Sequence, residues 1–139
     1  MRTLNKSGQR SGCPISIALE MLGDAWSLLI VRDLMFKERQ TYNDFLLGGE
    51  GIATNILADR LRRLADAGVI EKWRDPSDAR RFVYRLSEKG IDLAPALVEL
   101  VIWSARHEVT DAPTSVVRAM RADRAAFIAG VRKRWRESK

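Results

Sequence analysis

Residues 52–68 read Ile52-Ala53-Thr54-Asn55-Ile56-Leu57-Ala58-Asp59-Arg60-Leu61-Arg62-Arg63-Leu64-Ala65-Asp66-Ala67-Gly68. Leu57, Leu61 and Leu64 recur at the i, i+4, i+7 spacing of one helical face. Thr54, Asn55, Ala58, Asp59 and Arg62 fall on the other side. Small and amide side chains followed by arginine suit an approach to base edges and phosphates. Gly68 is placed to end the helix, because a C′ residue with positive φ is cheapest as glycine. Leucine-rich amphipathic helices are common. The order of elements around this one gives it meaning.

Upstream, Cys13-Pro14 opens a first helix, since proline suits a position whose N–H would be unpaired anyway. Ile15, Ala18, Leu19 and Leu22 form its apolar stripe, and Gly23 ends it. Asp24 caps a second helix, Ala25 to Phe36, whose centre is apolar nearly all round and must be wrapped by others. Thr41, with Asp44 three residues on, opens a short third helix from Tyr42 to Leu47. Gly48-Gly49-Glu50-Gly51 is a turn loose enough to set two helices at a steep angle. Ala53 stands where a capping side chain is expected, so either Thr54 or water serves that helix end.

Downstream of Gly68 the apolar period changes from 3.6 to 2. Val69 to Asp75 and Arg81 to Leu86 read as two strands joined through Pro76-Ser77-Asp78-Ala79. Phe82, Tyr84 and Leu86 share one face of the second strand; Arg81, Val83 and Arg85 share the other. A lone hairpin is marginal in water, so its apolar face must lie on helices. A long helix follows from about Ile91 to His107, with Pro95 near its start. Apolar residues cover most of its circumference, which predicts a second chain against it. After Asp111-Ala112-Pro113, one last amphipathic helix is expected from Val116 to Arg136.

Composition narrows the function classes. The 139 residues form one domain, with 46% apolar and 30% charged side chains. No apolar run approaches the ~20 residues of a membrane span, and no secretory signal pattern opens the chain. Cys13 is the single cysteine, so no intrachain disulfide forms. A cytoplasmic protein without a membrane role is expected. The net charge of +6 is unevenly spread. Residues 1–10 carry three basic and no acidic side chains, and residues 118–139 carry eight basic against two acidic. The stretch between them, 11–117, holds 13 basic and 16 acidic residues. Any basic footprint in the body of the domain is therefore local, over residues 60–85. No metal-ligand spacing, phosphate loop or paired acid and base argues for an enzyme, and no cofactor is expected. His107, the single histidine, lacks identifiable metal or triad partners and reads as an exposed residue near a helix end.

Helix, helix, short helix, turn, helix, hairpin, helix is the order of a winged helix-turn-helix, mainly α with a small β-hairpin. Several motifs add a family resemblance: Cys13-Pro14-Ile15, Trp26-Ser27-Leu28-Leu29-Ile30, Tyr42-Asn43-Asp44-Phe45, residues 52–61, Tyr84-Arg85-Leu86-Ser87-Glu88-Lys89-Gly90, and Trp103. Together, over residues 13–107, they resemble the HxlR-type bacterial transcriptional regulators. The resemblance implies a homodimer bound to double-stranded DNA, with a recognition helix over Ala53–Ala67 and a wing over Asp75–Arg81. It implies dimerisation through the first helix and helix 91–107, for which Ile15, Leu19, Leu97, Val101 and Trp103 are the candidates. Some members sense electrophiles or oxidants through a cysteine just before the first helix, where Cys13 stands. Residues 1–12 are expected to be a flexible arm, and residues 108–139 an amphipathic extension beyond the family core.

The candidate DNA contacts then sort by chemistry. Thr54, Asn55, Ala58, Arg62 and Arg63 face the major groove, unless theirs is an ordinary solvated helix face. Asn55 with adenine, or either arginine with guanine, would discriminate by ~1–3 kcal/mol. Asp59 would repel phosphate, so it either accepts from cytosine N4 or, as expected, pairs with a neighbouring arginine such as Arg62 or Arg63. Arg80 and Arg81 at the hairpin tip would enter the minor groove or grip phosphate; otherwise they guard a strand edge. Arg39 and Tyr42 are candidate phosphate contacts, with half-buried packing the alternative for Tyr42. Cys13 is the candidate sensor thiol for an electrophile or redox signal, because unpaired N–H groups at a helix start favour a negative sulfur. Its alternative is a small apolar residue, and a small-molecule effector would serve instead. The expected function is a sequence-specific regulator, a repressor on a palindromic operator. The alternative is a winged-helix module that binds protein.

Overall fold

The computed structural model describes residue 4 and residues 8–138. The expected flexible arm, 1–12, lies partly outside these. Within them, Arg10 is tied to the first helix, its backbone N–H donating to Glu20 Oε1 at 2.7 Å.

Eight helices and one hairpin follow in order among the described residues: α1 (Pro14–Leu22), α2 (Ser27–Phe36), α3 (Tyr42–Leu46), α4 (Thr54–Asp66), β1 (Ile70–Asp75), β2 (Asp78–Leu86), α5 (Glu88–Ile91), α6 (Ala94–His107), α7 (Thr114–Ala122) and α8 (Arg124–Glu137). This is a winged helix-turn-helix. Local chemistry sets the boundaries. Pro14 occupies the first turn of α1, and Gly23 closes it. Asp24 Oδ1 accepts the N–H groups of Trp26 and Ser27 at 2.8 and 2.9 Å, as a cap for α2 should. At α3, Asp44 N–H donates to Thr41 Oγ1 and Asp44 Oδ2 accepts from Thr41 N–H, a reciprocal capping box. Ala53 precedes α4 without a side-chain cap. Gly68 ends that helix with φ +76°, a conformation a Cβ would strain.

The core forms where the leucine stripe of α4 meets α2 and the hairpin. Leu57, Leu61 and Leu64 are buried there with Val31, Val69, Ile70, Leu86 and Ile91. Burying such a side chain is worth about 1.5–3 kcal/mol, so the stripe alone orients α4 and leaves its other face in water. The hairpin is antiparallel, with Ile70 opposite Leu86 and Trp73 opposite Val83. An irregularity between Arg74 and Asp75 brings Asp75 opposite Asp78, so β2 begins three residues before the expected Arg81. Tyr84 N–H donates to Gln40 O at 2.8 Å, and Thr41 bridges Val83, tying the wing to the entry of α3.

Three expectations change. The last helix is two helices, because Asp123 is extended (φ −157°, ψ 92°) and its carboxylate caps α8 by accepting Ala126 N–H at 3.0 Å. The long helix expected from about Ile91 begins at Ala94, preceded by a short α5 whose N-terminus Ser87 caps by accepting from Gly90 N–H. The apolar circumference of α6 is covered largely by its own chain. Val98 and Ile102 pack with Met120 of α7 and with Phe127 and Ile128 of α8, while Val131 reaches the main core. Leu97, at 5% exposure, belongs to that core and has no face for a second chain; Val101 is half-buried beside it. Of the expected dimer contacts, Leu97 is taken up by the monomer's own core, whereas Val101 keeps part of its surface. The exposed apolar side chains on α6 are Leu100 and Trp103, and on α1 they are Ile15 and Leu19.

Candidate nucleic-acid interface

Once the leucine stripe is buried, α4 presents Thr54, Asn55, Ala58, Arg62 and Arg63 to solvent on one side. The helix is fixed at its start by Tyr42, whose hydroxyl donates to Thr54 O at 3.0 Å. It is fixed at its middle by Arg60, whose Nε lies 3.2 Å from Asp24 Oδ1. Burial raises the Asp24 carboxyl, but hydrogen bonds from Ser27, Trp26 and Arg60 outweigh it and hold the group below its ordinary range. The cap of α2 is thereby also an anchor for α4.

Asp59 does pair with arginine. Its carboxylate accepts from Arg62 Nη2 at 2.6 Å and Arg60 Nη1 at 2.5 Å, with Arg63 at 3.7 Å. Arg60 and Arg62 are held by one anion, on the helix surface that carries Arg62 outward. Such pairing costs little to exchange at an exposed site, so phosphate or a guanine edge can take over Arg62 or Arg63.

The hairpin tip lies beside α3. A cleft of about 320 Å³ is lined by Thr41, Tyr42, Asn43, Arg80, Arg81, Phe82 and Tyr84. Arg80 is almost wholly exposed and pairs with Asp78 at 3.1 Å. Arg81 Nε donates to Asp75 Oδ2 at 2.6 Å. Asp75 also accepts from the Ser77 hydroxyl and N–H, and these bonds, then Arg81, hold its carboxyl at about 2. The wing tip is a hydrogen-bonded loop in which each guanidinium pairs with a carboxylate, Arg80 with Asp78 at the exposed end and Arg81 with the buried Asp75.

Two expected phosphate contacts have other duties. Arg39 Nη1 donates to Asp33 Oδ1 at 2.9 Å, and Asp33 is buried in α2 with Arg32 also bound to it. A buried carboxylate needs counter-charge, so Arg39 is committed to the scaffold. Tyr42 is half-buried and spends its hydroxyl proton on Thr54 O. Beside these stand residues that the pattern did not single out: Asn43, exposed at the cleft, and on β1 Lys72 and Arg74, whose charges lie 4.8 and 4.9 Å from the Phe82 ring. Alternation placed them on a strand, but only the register sets Arg74 opposite Phe82.

Cys13 is exposed at the N-cap of α1, with its N–H donating to Ser11 Oγ at 3.2 Å. Among the described residues no group of three or more His, Cys, Asp and Glu side chains is placed to hold a metal ion. Among them, too, no single helix is long and apolar enough to cross a membrane.

Comparison with known proteins agrees with this geometry. Residues 21–111 match the HxlR-like helix-turn-helix family model. An uncharacterized HTH-type transcriptional regulator of Mycobacterium tuberculosis is 36% identical over 103 residues, 74% of this chain. The match spans 64% of that relative's own length. The HTH-type transcriptional regulator YodB of Bacillus subtilis is 28% identical over 93 residues, 66% of this chain and 82% of YodB. Among solved structures, PA1607, described as a candidate transcription factor, has a TM-score of 0.68 at 35% identity, covering 78% of this chain and 75% of that one. The reduced form of YodB has a TM-score of 0.57 at 26% identity, covering 70% of this chain and 95% of that one. With its leucine stripe, turn and wing in this order and a family match across most of its length, the chain belongs to the HxlR-like helix-turn-helix family.

Proposed function

We propose that this protein is a transcriptional regulator that binds double-stranded DNA as a homodimer. One observation carries the reading. Thr54, Asn55, Ala58, Arg62 and Arg63 form an exposed face of α4, and the Arg80–Arg81 wing tip stands beside α3. In this reading α4 enters the major groove, its arginines and Asn55 meet base edges, and the wing grips the flanking backbone or minor groove. The relatives named as transcriptional regulators support it.

The second copy is proposed to dock on α1 and α6. Ile15, at 70% exposure, and Leu19 lie one turn apart on α1; Leu100 and Trp103, at 61%, lie one turn apart on α6. Apolar side chains left in water in such pairs mark an interface. A two-fold dimer would place two α4 helices about one DNA turn apart on a palindromic operator, where the protein acts as a repressor.

Selection of bound sequences from random DNA with the purified protein tests the reading. Recovered sites should be palindromes with half-sites roughly 10 base pairs apart, and binding should weaken steeply with salt. Absence of any enriched sequence would sink it in favour of a protein-binding module.

Input through Cys13 is part of the proposal. The thiol is exposed at a helix start, open to alkylation by an electrophile at its sulfur. Cys13→Ser separates this from ligand sensing. Wild type should leave DNA on treatment with a quinone, and the serine variant should stay; equal release of both would exclude the thiol.

A further inference from the structure

Between the end of α2, strand β2 and α8 lies a cavity of about 340 Å³, which shares Tyr84 with the wing cleft beside α3. Leu34, Met35, Phe36 and Leu86 supply apolar wall, Arg85 and Trp135 form the other side, and the exposed Arg134 stands at the rim. The volume falls within the range of small-molecule sites.

Arg85 is the unusual member. It is 8% exposed, on a strand face that alternation assigned to solvent. Its guanidinium stacks over the Trp135 ring at 4.4 Å, and Nη2 donates to Trp135 O at 2.8 Å. Its Nε is buried without a hydrogen-bond partner. Among the described residues its partners are the Trp135 carbonyl and ring, with no carboxylate paired to it although Glu71 lies opposite in the strand ladder. A buried cation held only by a carbonyl and an aromatic ring lacks the counter-charge that normally repays desolvation. Two less buried arginines each have one: Arg32, with its side chain 24% exposed, has Asp33 and Glu50, and Arg60, at 18%, has Asp59 and Asp24, whose carboxylate lies 3.2 Å from an Arg60 Nε that otherwise lacks a hydrogen bond.

We propose that this cavity binds a small organic monocarboxylate, an aromatic or branched apolar acid whose carboxylate is the missing partner of Arg85. The apolar body lies against Leu34, Phe36 and Leu86, and Arg134 at the open side adds a second positive charge. Glu38, exposed on the same lining, disfavours a second negative group on the ligand. The site depends on α8, which brings Trp135 and Arg134 to β2. The carboxylate's effect on DNA would travel along β2, which carries both Arg85 and the wing-tip Arg81.

Binding is tested without DNA, so its failure is distinct from failure of the DNA reading. The probe is phenylacetate, with phenylacetamide as the neutral control and inorganic phosphate as the plain anion. The Trp135 indole N–H, which donates to Leu86 O at 2.8 Å, reports occupancy by NMR and is assigned with Trp135→Phe. Phenylacetate should shift that resonance saturably, phenylacetamide should bind at least tenfold more weakly, and phosphate should leave it in place. Arg85→Met should abolish the shift; Leu34→Phe, which keeps the charge and fills the cavity, should do the same. No saturable shift at ~10 mM phenylacetate, well above a weak ~1 mM affinity, overturns the proposal. So does equal binding of the amide, equal binding of phosphate, or a folded Arg85→Met protein that binds like wild type.

Discussion

Arg81 donates to Asp75 across the mouth of the hairpin at 2.6 Å, and this bond closes the wing into a fixed loop. Asp75 is held at about 2, below its ordinary 3.8, by Ser77 first and then Arg81. A carboxyl whose folded value is depressed contributes stability that is present above the unfolded value and lost as pH falls through the folded one. The wing's contribution should therefore fade between about pH 4 and pH 2. Asp75→Asn should flatten that part of the stability-versus-pH curve, measured by urea unfolding. An unchanged acid limb in the variant would show that the Asp75–Arg81 bond is not what titrates.

Arg62 and Asp59 should have opposite effects on DNA binding. Arg62→Ala should cost about 1–3 kcal/mol at one operator position and relax the preference there. Asp59→Asn removes a negative charge from the reading face, so non-specific binding should tighten at low salt. Quantitative mobility shifts on specific and scrambled DNA would measure both. An Arg62→Ala protein with wild-type affinity and preference would mean that the reading face is elsewhere.

Leu97 and Trp103 separate folding from assembly. Leu97→Ala should destabilise by about 2–4 kcal/mol, because it opens a cavity in the monomer's own core. Trp103→Glu should leave monomer stability nearly unchanged and shift sedimentation toward a single chain. A Trp103→Glu protein that stays dimeric at low micromolar concentration would move the interface off α6.

Gly90 is a close-approach site. A Cβ there would meet the Val69 carbonyl oxygen, which already accepts from Ser87 N–H and Ser87 Oγ. Backbone cannot yield as a flexible side chain does, so Gly90→Ala should cost about 1–3 kcal/mol. Chemical denaturation checks this; a loss under half a kcal/mol would mean that α5 shifts freely.

Trp135 ties the C-terminal helix to the wing strand through its N–H to Leu86 O and its ring against Arg85. Trp135→Ala should cost about 2–4 kcal/mol, since a half-buried aromatic and a hydrogen bond are lost together. It should also leave the Arg85 guanidinium without its stacking partner. Thermal unfolding that matches wild type would show that α8 adds nothing to the domain.

Local rules wrote much of this molecule into the chain. The period of Leu57, Leu61 and Leu64 determined α4 and its buried face, because burial follows the helical repeat whatever else packs there. Pro14, Gly23, Asp24, the Thr41–Asp44 pair and Gly68 marked element ends through interactions within a few residues. Long-range pairing decided the rest. Whether Arg39 meets phosphate or Asp33, and whether Leu97 meets a partner or the chain's own main core, depends on how helices far apart in sequence pack. Strand alternation placed Arg85 on a polar face, yet it is buried, because α8 returns fifty residues later to cover it. Side-chain period is a property of one segment, whereas burial on both faces of a strand requires the segment that lands on it.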